Sequence, residues 1–144
     1  MKLHGALLLS SIALVAARPL RAQLLGAPFR VNTVTTGDQI EPAAAFDGHG
    51  NFVVVWTDSV AVGNTNVTGQ RYDAAFSPIG GGFRVNTTGF FGGSFGLYPS
   101  VACAASGAFV VVWTALETDG KGVVGQRFDA AGARNLFAGG PPPV

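Results

Sequence analysis

The feature of this sequence that most constrains its fold is an internal repeat. Three blocks return in the same order, residues 29–33 at 83–87, residues 52–57 at 109–114 and residues 69–75 at 125–131. The first two blocks are identical in both copies, and the third differs only by Phe128 in place of Tyr72. The offsets of 54, 57 and 56 positions place the length differences between the blocks, where loops belong. A repeat of roughly 55 residues predicts two copies of one supersecondary unit.

Each block has the pattern of a short β-strand. Residues 29–33 and 67–72 alternate between apolar and polar side chains, as half-exposed strands do. Residues 52–56 are apolar at every position, which is typical of a strand covered on both faces. The glycines of residues 47–51 favour a tight hairpin loop. Residues 42–46, small and apolar after a proline, complete a unit of four strands.

Four short strands in a unit of this length are typical of a β-propeller blade. The innermost strand of a blade lies near a crowded axis and favours small residues, so residues 42–46 and 99–104 are predicted to be first strands. Residues 42–87 then form a complete blade. Residues 99–131 form an incomplete blade that lacks its outermost strand. The predicted fold is all-β, with two four-stranded antiparallel repeats of β-propeller-blade type.

The predicted strand order along the chain does not begin at a blade boundary. Strand 29–33, from Phe29 to Thr33, is an outermost strand that has no blade of its own. Two blades cannot close a ring, since propellers hold about four to eight. We therefore expect self-association in which strand 29–33 completes the last blade of a neighbouring copy, or a chain that is part of a longer array. The alternative folds are a β-sandwich, with strand 29–33 folded back onto its own chain, and an open two-sheet stack. Residues 135–144 are predicted to be a Gly- and Pro-rich tail.

The first residues have the pattern of a secretory signal peptide. Lys2 precedes an apolar run over residues 6–17, and the small residue Ala22 offers a cleavage site. The apolar run is shorter than the roughly 20 residues of a membrane-spanning helix. We therefore expect a signal peptide over residues 1–22, a β-repeat domain over residues 23–134, and a secreted, periplasmic or cell-surface protein. No membrane span is expected after cleavage.

Removal of the signal peptide changes the charge balance. Of the nine basic residues, Lys2, Arg18 and Arg21 lie in the predicted signal peptide, which leaves six against eight acidic residues. The slightly basic pI of about 8.0 for the full chain therefore reflects its first 22 residues. Because no basic stripe remains, nucleic acid is not an expected partner.

Three segments resemble a known repeat. Gly-Asn-Phe-Val-Val-Val-Trp-Thr at 50–57, Val-Thr-Gly-Gln-Arg-Tyr-Asp-Ala at 67–74 and Gly-Gly-Phe-Arg-Val-Asn-Thr at 81–87 are similar to the tandem β-repeat of large exported bacterial proteins of the surface or adhesion type. The resemblance covers nearly all of residues 27–132. It implies an extracellular structural or adhesive role, and no catalytic motif comes with it. This chain departs from such proteins by having two copies, and by retaining only residues 119–122 of an acidic, glycine-rich loop.

Little in the sequence points to catalysis. Residues 92–96 match the G-x-S-x-G pattern around a nucleophile, here Ser94, but that motif needs a strand–turn–helix context and a histidine base. His49, the only histidine after the signal peptide, belongs to the predicted hairpin loop. Cys103, the only cysteine, lies between alanines in an apolar strand, which predicts a buried and unreactive thiol. We therefore predict a non-enzymatic protein without catalytic residues, and one histidine and one cysteine cannot form a zinc site.

The best candidate for a binding site is the insertion between the two units. Residues 88–98 hold four aromatic side chains among glycines, whereas the matching residues 34–41 hold none. In a blade the loops entering strand one and joining strands two and three share one face, which would gather Phe90, Phe91, Phe95, Tyr98, Asp58, Asn64, Asn66, Glu117 and Asp119. Aromatic rings beside carboxylates and amides bind sugars, because a sugar has an apolar face and a rim of hydroxyls. The alternative role for these rings is to cap the exposed end of the core.

Calcium is the one cofactor that the sequence admits. Asp58, Asn64, Glu117 and Asp119 supply hard oxygen ligands, although their spacing follows no recognised calcium loop.

The leading hypothesis is an exported, non-enzymatic β-repeat protein with a structural, adhesive or self-associating role. The alternative is a small lectin-like, carbohydrate-binding propeller assembled from two-blade chains. A hydrolase is the weakest hypothesis. The expected partners are a second copy of the chain, a carbohydrate or a surface protein.

Overall fold

The chain folds into two antiparallel β-sheets of four strands each. The computed structural model describes residues 26–61, 64–87, 97–117 and 120–135. Within these ranges the elements are β1 Asp38–Phe46, β2 Phe52–Ala61, β3 Asn64–Tyr72, β4 Pro78–Arg84, β5 Ser100–Cys103, β6 Phe109–Glu117, β7 Gly120–Phe128 and β8 Arg134–Asn135. Sheet A has the order β1-β2-β3-β4 and sheet B the order β5-β6-β7-β8. The predicted all-β fold with two four-stranded antiparallel repeats is confirmed. The described part of the chain holds no helix that is long and apolar enough to cross a membrane.

The repeated blocks occupy the same places in both sheets. Phe52 pairs with Tyr72 across β2 and β3, and Phe109 pairs with Phe128 across β6 and β7. Both pairs are stacked, with ring centroids 4.9 Å and 4.7 Å apart. The hairpin predicted over residues 47–51 is present, closed by the Asp47 amide donating to the Asn51 carbonyl at 2.8 Å. Equivalent blocks therefore build equivalent cross-strand pairs, although Tyr72 in the first copy is Phe128 in the second.

The two sheets stack through unlike faces. Alternate residues of a strand point to opposite sides, so each sheet has a front face and a back face. The front face carries Phe52, Trp56 and Tyr72 in sheet A, and Phe109, Trp113 and Phe128 in sheet B. The back face carries Val53, Val55 and Val67 in sheet A, and Val110, Val112 and Val123 in sheet B. One core cluster joins the back face of sheet A to the front face of sheet B.

The core is built from the repeated valines and aromatics. Its buried members are Val53, Val55, Val67, Val85, Leu97, Phe109, Val111, Trp113, Ala115 and Phe128. Full burial of a valine or phenylalanine side chain contributes about 1.5–3 kcal/mol each. Because members come from both sheets, neither sheet buries its apolar residues by itself.

Hydrogen bonds tie the two sheets at their inner and outer strands. The first strands, β1 and β5, lie side by side, where the Gly48 amide donates to the Ala105 carbonyl at 3.3 Å. Farther out, the Arg71 guanidinium donates to the Ala130 carbonyl at 3.1 Å. At the edge, Arg134 donates to the Arg84 carbonyl at 2.7 Å. The sheets are thus docked along their full width.

The expectation of a strand over residues 29–33 is wrong, because residues 26–37 form no strand. The segment lies instead on the front face of sheet A. The Tyr72 hydroxyl donates to the Val31 carbonyl at 3.0 Å, and the Phe29 and Tyr72 ring centroids are 5.6 Å apart. The physical reason is that Phe52, Trp56 and Tyr72 need a cover on this face, while β4 already occupies the outer edge. Exchange of the segment between chains stays a prediction.

The expectation of an incomplete second blade is also wrong. β8 pairs with β7 through Arg127 opposite Asn135 and Phe128 opposite Arg134, so sheet B has a short fourth strand where the tail was predicted to begin. The turn before it forms as in sheet A, because the Ala133 amide donates to the Asp129 carboxylate at 2.8 Å. The equivalent bond in sheet A runs from the Ser77 amide to the Asp73 carboxylate, also at 2.8 Å, so the same local contact closes both turns. In sheet A the fourth strand likewise begins earlier than predicted, at Pro78, and ends at Arg84.

Candidate functional site

The predicted ligand cluster falls only partly within the described residues. Outside them lie Phe90, Phe91, Phe95 and Asp119. Asn64 and Glu117 are described by their backbone alone, at the start of β3 and the end of β6. Asp58, Asn66 and Tyr98 are described with their side chains.

Asp58 and Asn66 are direct cross-strand neighbours on β2 and β3, as predicted for a shared end of the sheet. Asp58 is buried on the front face of sheet A. Its carboxylate accepts hydrogen bonds from Gln39 Nε2 at 3.4 Å and from Thr68 Oγ1 at 3.5 Å. Because a buried carboxylate needs such donors, Asp58 is already engaged in holding β1 and β3 to β2.

Tyr98 has an exposed side chain, at 67% of its full accessibility, and a backbone fastened to the opposite side of sheet A. Its amide donates to Glu41 Oε2 at 2.9 Å, and Thr57 Oγ1 donates to the same oxygen at 2.8 Å. The Leu97 amide in turn donates to Thr57 Oγ1 at 3.2 Å. Sheet A therefore separates Asp58, on its front face, from the network that holds Tyr98, on its back face.

Glu41 is a site residue that the sequence analysis missed. It lies at the register shift between Ile40 and Ala43 in β1 and has a positive φ of 58°. This conformation is uncommon for a residue with a side chain, and here it accompanies the carboxylate that receives Thr57 and Tyr98. The only signal in the sequence is a single acidic residue before the small-residue strand. The lectin-like hypothesis stays a prediction, because three of its four aromatic rings lie outside the described residues.

A cavity of about 110 Å³ lies between the N-terminal segment and the front face of sheet A. Its lining residues are Val31, Thr33, Val34, Trp56, Asp58, Thr68, Gln70 and Gly82. Among the described residues, no group accepts a hydrogen bond from the buried Trp56 Nε1, although a buried indole N–H usually has an acceptor. The volume has room for roughly three to four water molecules and lies below the roughly 300 Å³ at which small-molecule pockets begin. The cavity fits water that serves this indole better than it fits a sugar.

Several titratable side chains in the described ranges hold turns and interfaces together. No three His, Cys, Asp or Glu side chains of these ranges lie together as metal ligands would. His49 lies in the β1–β2 turn, where its amide donates to Asp47 Oδ1 at 2.8 Å. The hydrogen bond from the Asn51 side chain lowers the pKa of Asp47, although burial acts in the other direction. The hydrolase candidate Ser94 lies outside the described residues.

Cys103 lies at the interface between the sheets, where its thiol is half-buried and donates to the Ala45 carbonyl at 3.6 Å. Burial raises the pKa of this thiol, and the negative charge of Asp47 raises it further. Because the thiolate is the reactive form of cysteine, this position favours an unreactive side chain.

The back face of sheet B carries an exposed apolar surface. Val112 and Val123 are 39% and 81% exposed, whereas their counterparts in sheet A, Val55 and Val67, are both 0% exposed. The strand residues Val110, Val112, Val123 and Gly125 are called the open face below. At the other end of the stack, Phe46 on the front face of sheet A is 60% exposed. Apolar surface of this kind marks sites of interaction.

Comparison with known proteins provides no relative. A scan of the chain against protein-family models finds no match, and searches of curated proteins and of solved structures find none either.

Proposed function

We propose that this chain is an exported, non-enzymatic β-repeat protein with a structural or adhesive role, exercised through self-association. The observation that carries the proposal is the contact between the two sheets. It joins the back face of one unit to the front face of the next, and both units have the same design. A contact between unlike faces can be repeated by a third unit, as it is in repeat proteins generally.

The sequence supports the exported and structural parts of this proposal. The charged start and apolar run of residues 1–22 have the pattern of a secretory signal, and a secreted, periplasmic or cell-surface location follows from it. The resemblance of the repeat to exported surface proteins agrees with a structural or adhesive role. In the described part of the chain, the carboxylates of Asp58, a predicted site residue, and of Glu41 accept hydrogen bonds that hold strands and the segment before β5 in place, which favours a scaffold over a catalyst.

The export part is tested by fractionating cells that produce the full chain with a C-terminal epitope tag. We expect the tagged protein outside the cytoplasm, with its mass reduced by cleavage near Ala22. Leu8→Arg interrupts the apolar run and should leave the uncleaved chain in the cytoplasm. Gln23→Arg, with the same added charge beyond the run, is the matched control and should be exported. Cytoplasmic retention of the unaltered full-length chain would refute the proposal of export.

The structural part is tested by the mass of the purified, exported protein in solution. Light scattering across a hundredfold range of concentration should show a mass that rises above that of one chain. A screen of ester substrates tests the absence of enzymatic activity, with Ser94→Ala as the variant that would abolish a genuine serine-dependent reaction. A monomer at every concentration would contradict self-association, and a Ser94-dependent reaction would contradict a purely structural role.

A further inference from the structure

We propose that the open face of sheet B is a docking surface for a second copy of this chain, which binds it with the front face of its sheet A. The inference rests on the self-association proposed above and names the surfaces that carry it. The two surfaces are Val110, Val112, Val123 and Gly125 on one copy, and the exposed rings of Phe29 and Phe46 on the other.

The first argument is continuity with the interface inside the chain. There, Val53, Val55 and Val67 of sheet A are buried beneath the front face of sheet B. Residue by residue, sheet B presents the same surface in Val110, Val112 and Val123, which occupy equivalent positions in β6 and β7. Since the same side chains are buried in one sheet and open in the other, the partner that fits the open face is another front face.

The second argument concerns Phe83, which links the two sheets. Its backbone pairs with Gly69 of β3, and the position a Cβ would take on Gly69 is 2.8 Å from Phe83 Cζ, so the ring lies directly on this glycine. The same ring reaches into sheet B, with its centroid 5.4 Å from that of Phe128. Phe83 therefore belongs to one sheet by its backbone and contacts the next by its ring.

Within its own chain, Phe29 makes the counterpart of the ring contact between Phe83 and Phe128. Its ring centroid lies 5.6 Å from that of Tyr72, the counterpart of Phe128, with an interplanar angle of 69° compared with 62° for Phe83 and Phe128. Phe83 also packs on Gly69, the glycine beneath its ring. Gly125 is the counterpart of Gly69, and the described atoms nearest to a Cβ built there are Val112 Cγ1 at 3.3 Å and the Val111 carbonyl at 3.5 Å.

The edge of β7 provides room for this contact. β4 pairs with β3 as far as Thr68 opposite Arg84, whereas β8 pairs with β7 only at Arg127 and Phe128. Beyond β8, the segment of β7 that includes Val124 and Gly125 is paired with β6 alone among the described strands. Residues 29–31 of a second copy fit beside this segment, with Phe29 on Gly125 as Phe83 lies on Gly69. Each added copy ends in a new open face.

Binding of this kind is head-to-tail, because the two surfaces differ. Such contacts form rings when the rotation between copies closes and filaments when it does not. We therefore expect the exported protein to form assemblies larger than a dimer at high concentration. The test uses two substitutions of exposed residues, Val123→Lys on the open face and Phe46→Lys on the front face of sheet A.

Each variant alone should remain monomeric by sedimentation velocity at concentrations where the unaltered protein assembles. Phe46→Lys keeps a functional open face, and Val123→Lys keeps a functional front face. An equal mixture should therefore give one species of twice the monomer mass and nothing larger. Ala131→Lys, the same charge in an exposed turn, is the control and should assemble as the unaltered protein does. Circular dichroism and thermal unfolding establish that each variant is folded, and Gly125→Ala provides a second block of the open face without a change of charge.

Several outcomes would overturn the inference. Assembly that survives both Val123→Lys and Gly125→Ala would place self-association on another surface and leave the proposed function standing. Dimers formed by Phe46→Lys alone would show contact between two open faces. A monomeric full-length protein that assembles only after removal of residues 136–144 would show that its own C-terminal segment covers the open face. A protein that stays monomeric under all conditions would contradict self-association itself.

Discussion

A glycine beneath an aromatic ring shows how closely single residues determine this structure. The ring of Phe83 occupies the space that a side chain at position 69 would need, and it contacts the rings of Phe109 and Phe128 in the other sheet. The glycine of the Gly-Gln-Arg block is therefore required by an interface between sheets, although in the sequence it reads as a weak point in a strand.

Gly69→Ala should destabilise the protein by about 1–3 kcal/mol, because the added methyl group forces the packed Phe83 ring out of place. The matched control is Gly125→Ala in the second repeat, where the nearest side-chain atom belongs to the partly exposed Val112 and can move. Urea denaturation of dilute, monomeric samples measures the difference. Equal losses for the two variants would contradict the role assigned to Phe83.

The turn residue Asp47 should make stability depend on pH. Its folded pKa lies below its ordinary value, chiefly through the hydrogen bond from Asn51, so folding favours the ionised carboxylate. The stabilisation is present above the unfolded pKa of about 4 and is lost as the pH falls through the folded pKa. Asp47→Ala should thus destabilise the protein at neutral pH and have a smaller effect near about pH 2.

Denaturation curves at both pH values measure this prediction. Asp38→Ala removes a carboxylate from the exposed start of β1 and controls for loss of charge alone. An effect of Asp47→Ala that is the same at both pH values would mean that the turn does not depend on the carboxylate.

At the scale of elements, the inner strands and turns follow from the sequence, whereas the ends of the sheets do not. β2 and β6 were predicted from a block that is apolar on both faces, and both lie in the middle of their sheets. Residues 29–33 alternate as a strand does, but in the structure they lie across a sheet face. The alternation of apolar and polar residues predicts which side chains are buried. It does not predict whether the backbone forms hydrogen bonds with a neighbouring strand.

The two copies of the Phe-Arg-Val-Asn-Thr block should differ in their contribution to stability. Phe83→Ala removes a ring that contacts two others and joins the sheets, and it should cost about 3–4 kcal/mol. Phe29→Ala removes a half-exposed ring from one end of the stack, and it should cost about 1–2 kcal/mol. Thermal and urea unfolding of the monomer give both values. A larger loss for Phe29→Ala would mean that the N-terminal segment, and not the contact between sheets, dominates stability.

At the scale of the whole molecule, the stacking of unlike faces determines both the core and the surface. The sheets share one hydrophobic cluster, so they are expected to unfold together in one transition. The same arrangement leaves a front face at one end and a back face at the other, and this asymmetry makes a head-to-tail assembly the natural form of association.

Cys103 offers a measure of this docking, because its thiol lies between the sheets with a raised pKa. In the native protein at neutral pH, reaction with a disulfide reagent should be at least roughly tenfold slower than in urea, since both burial and the small thiolate fraction protect it. Val55→Ala, which opens the core cluster against which Cys103 packs, should speed the reaction in parallel with its loss of stability. A native rate equal to the unfolded rate would show that the sheets separate freely.

The candidate site was predicted less completely than the fold. Asp58 and Asn66 lie side by side as expected, because cross-strand pairing follows from a hairpin between repeated strands. Tyr98 was expected beside them, but its backbone is held by Glu41 and Thr57 on the other side of sheet A. Nothing local marks Glu41, because its partners lie 16 and 57 positions away along the chain.

The sequence by itself determined the repeat, the all-β class, the hairpin turns and the central strands, because these depend on local patterning and short-range hydrogen bonds. Only the tertiary structure decided where the block from Phe29 to Thr33 lies, how the second sheet ends and which faces meet. Those outcomes depend on which segments, distant in the sequence, pack against the same apolar sheet faces. Identical side chains such as Val55 and Val112 are therefore buried in one copy and exposed in the other.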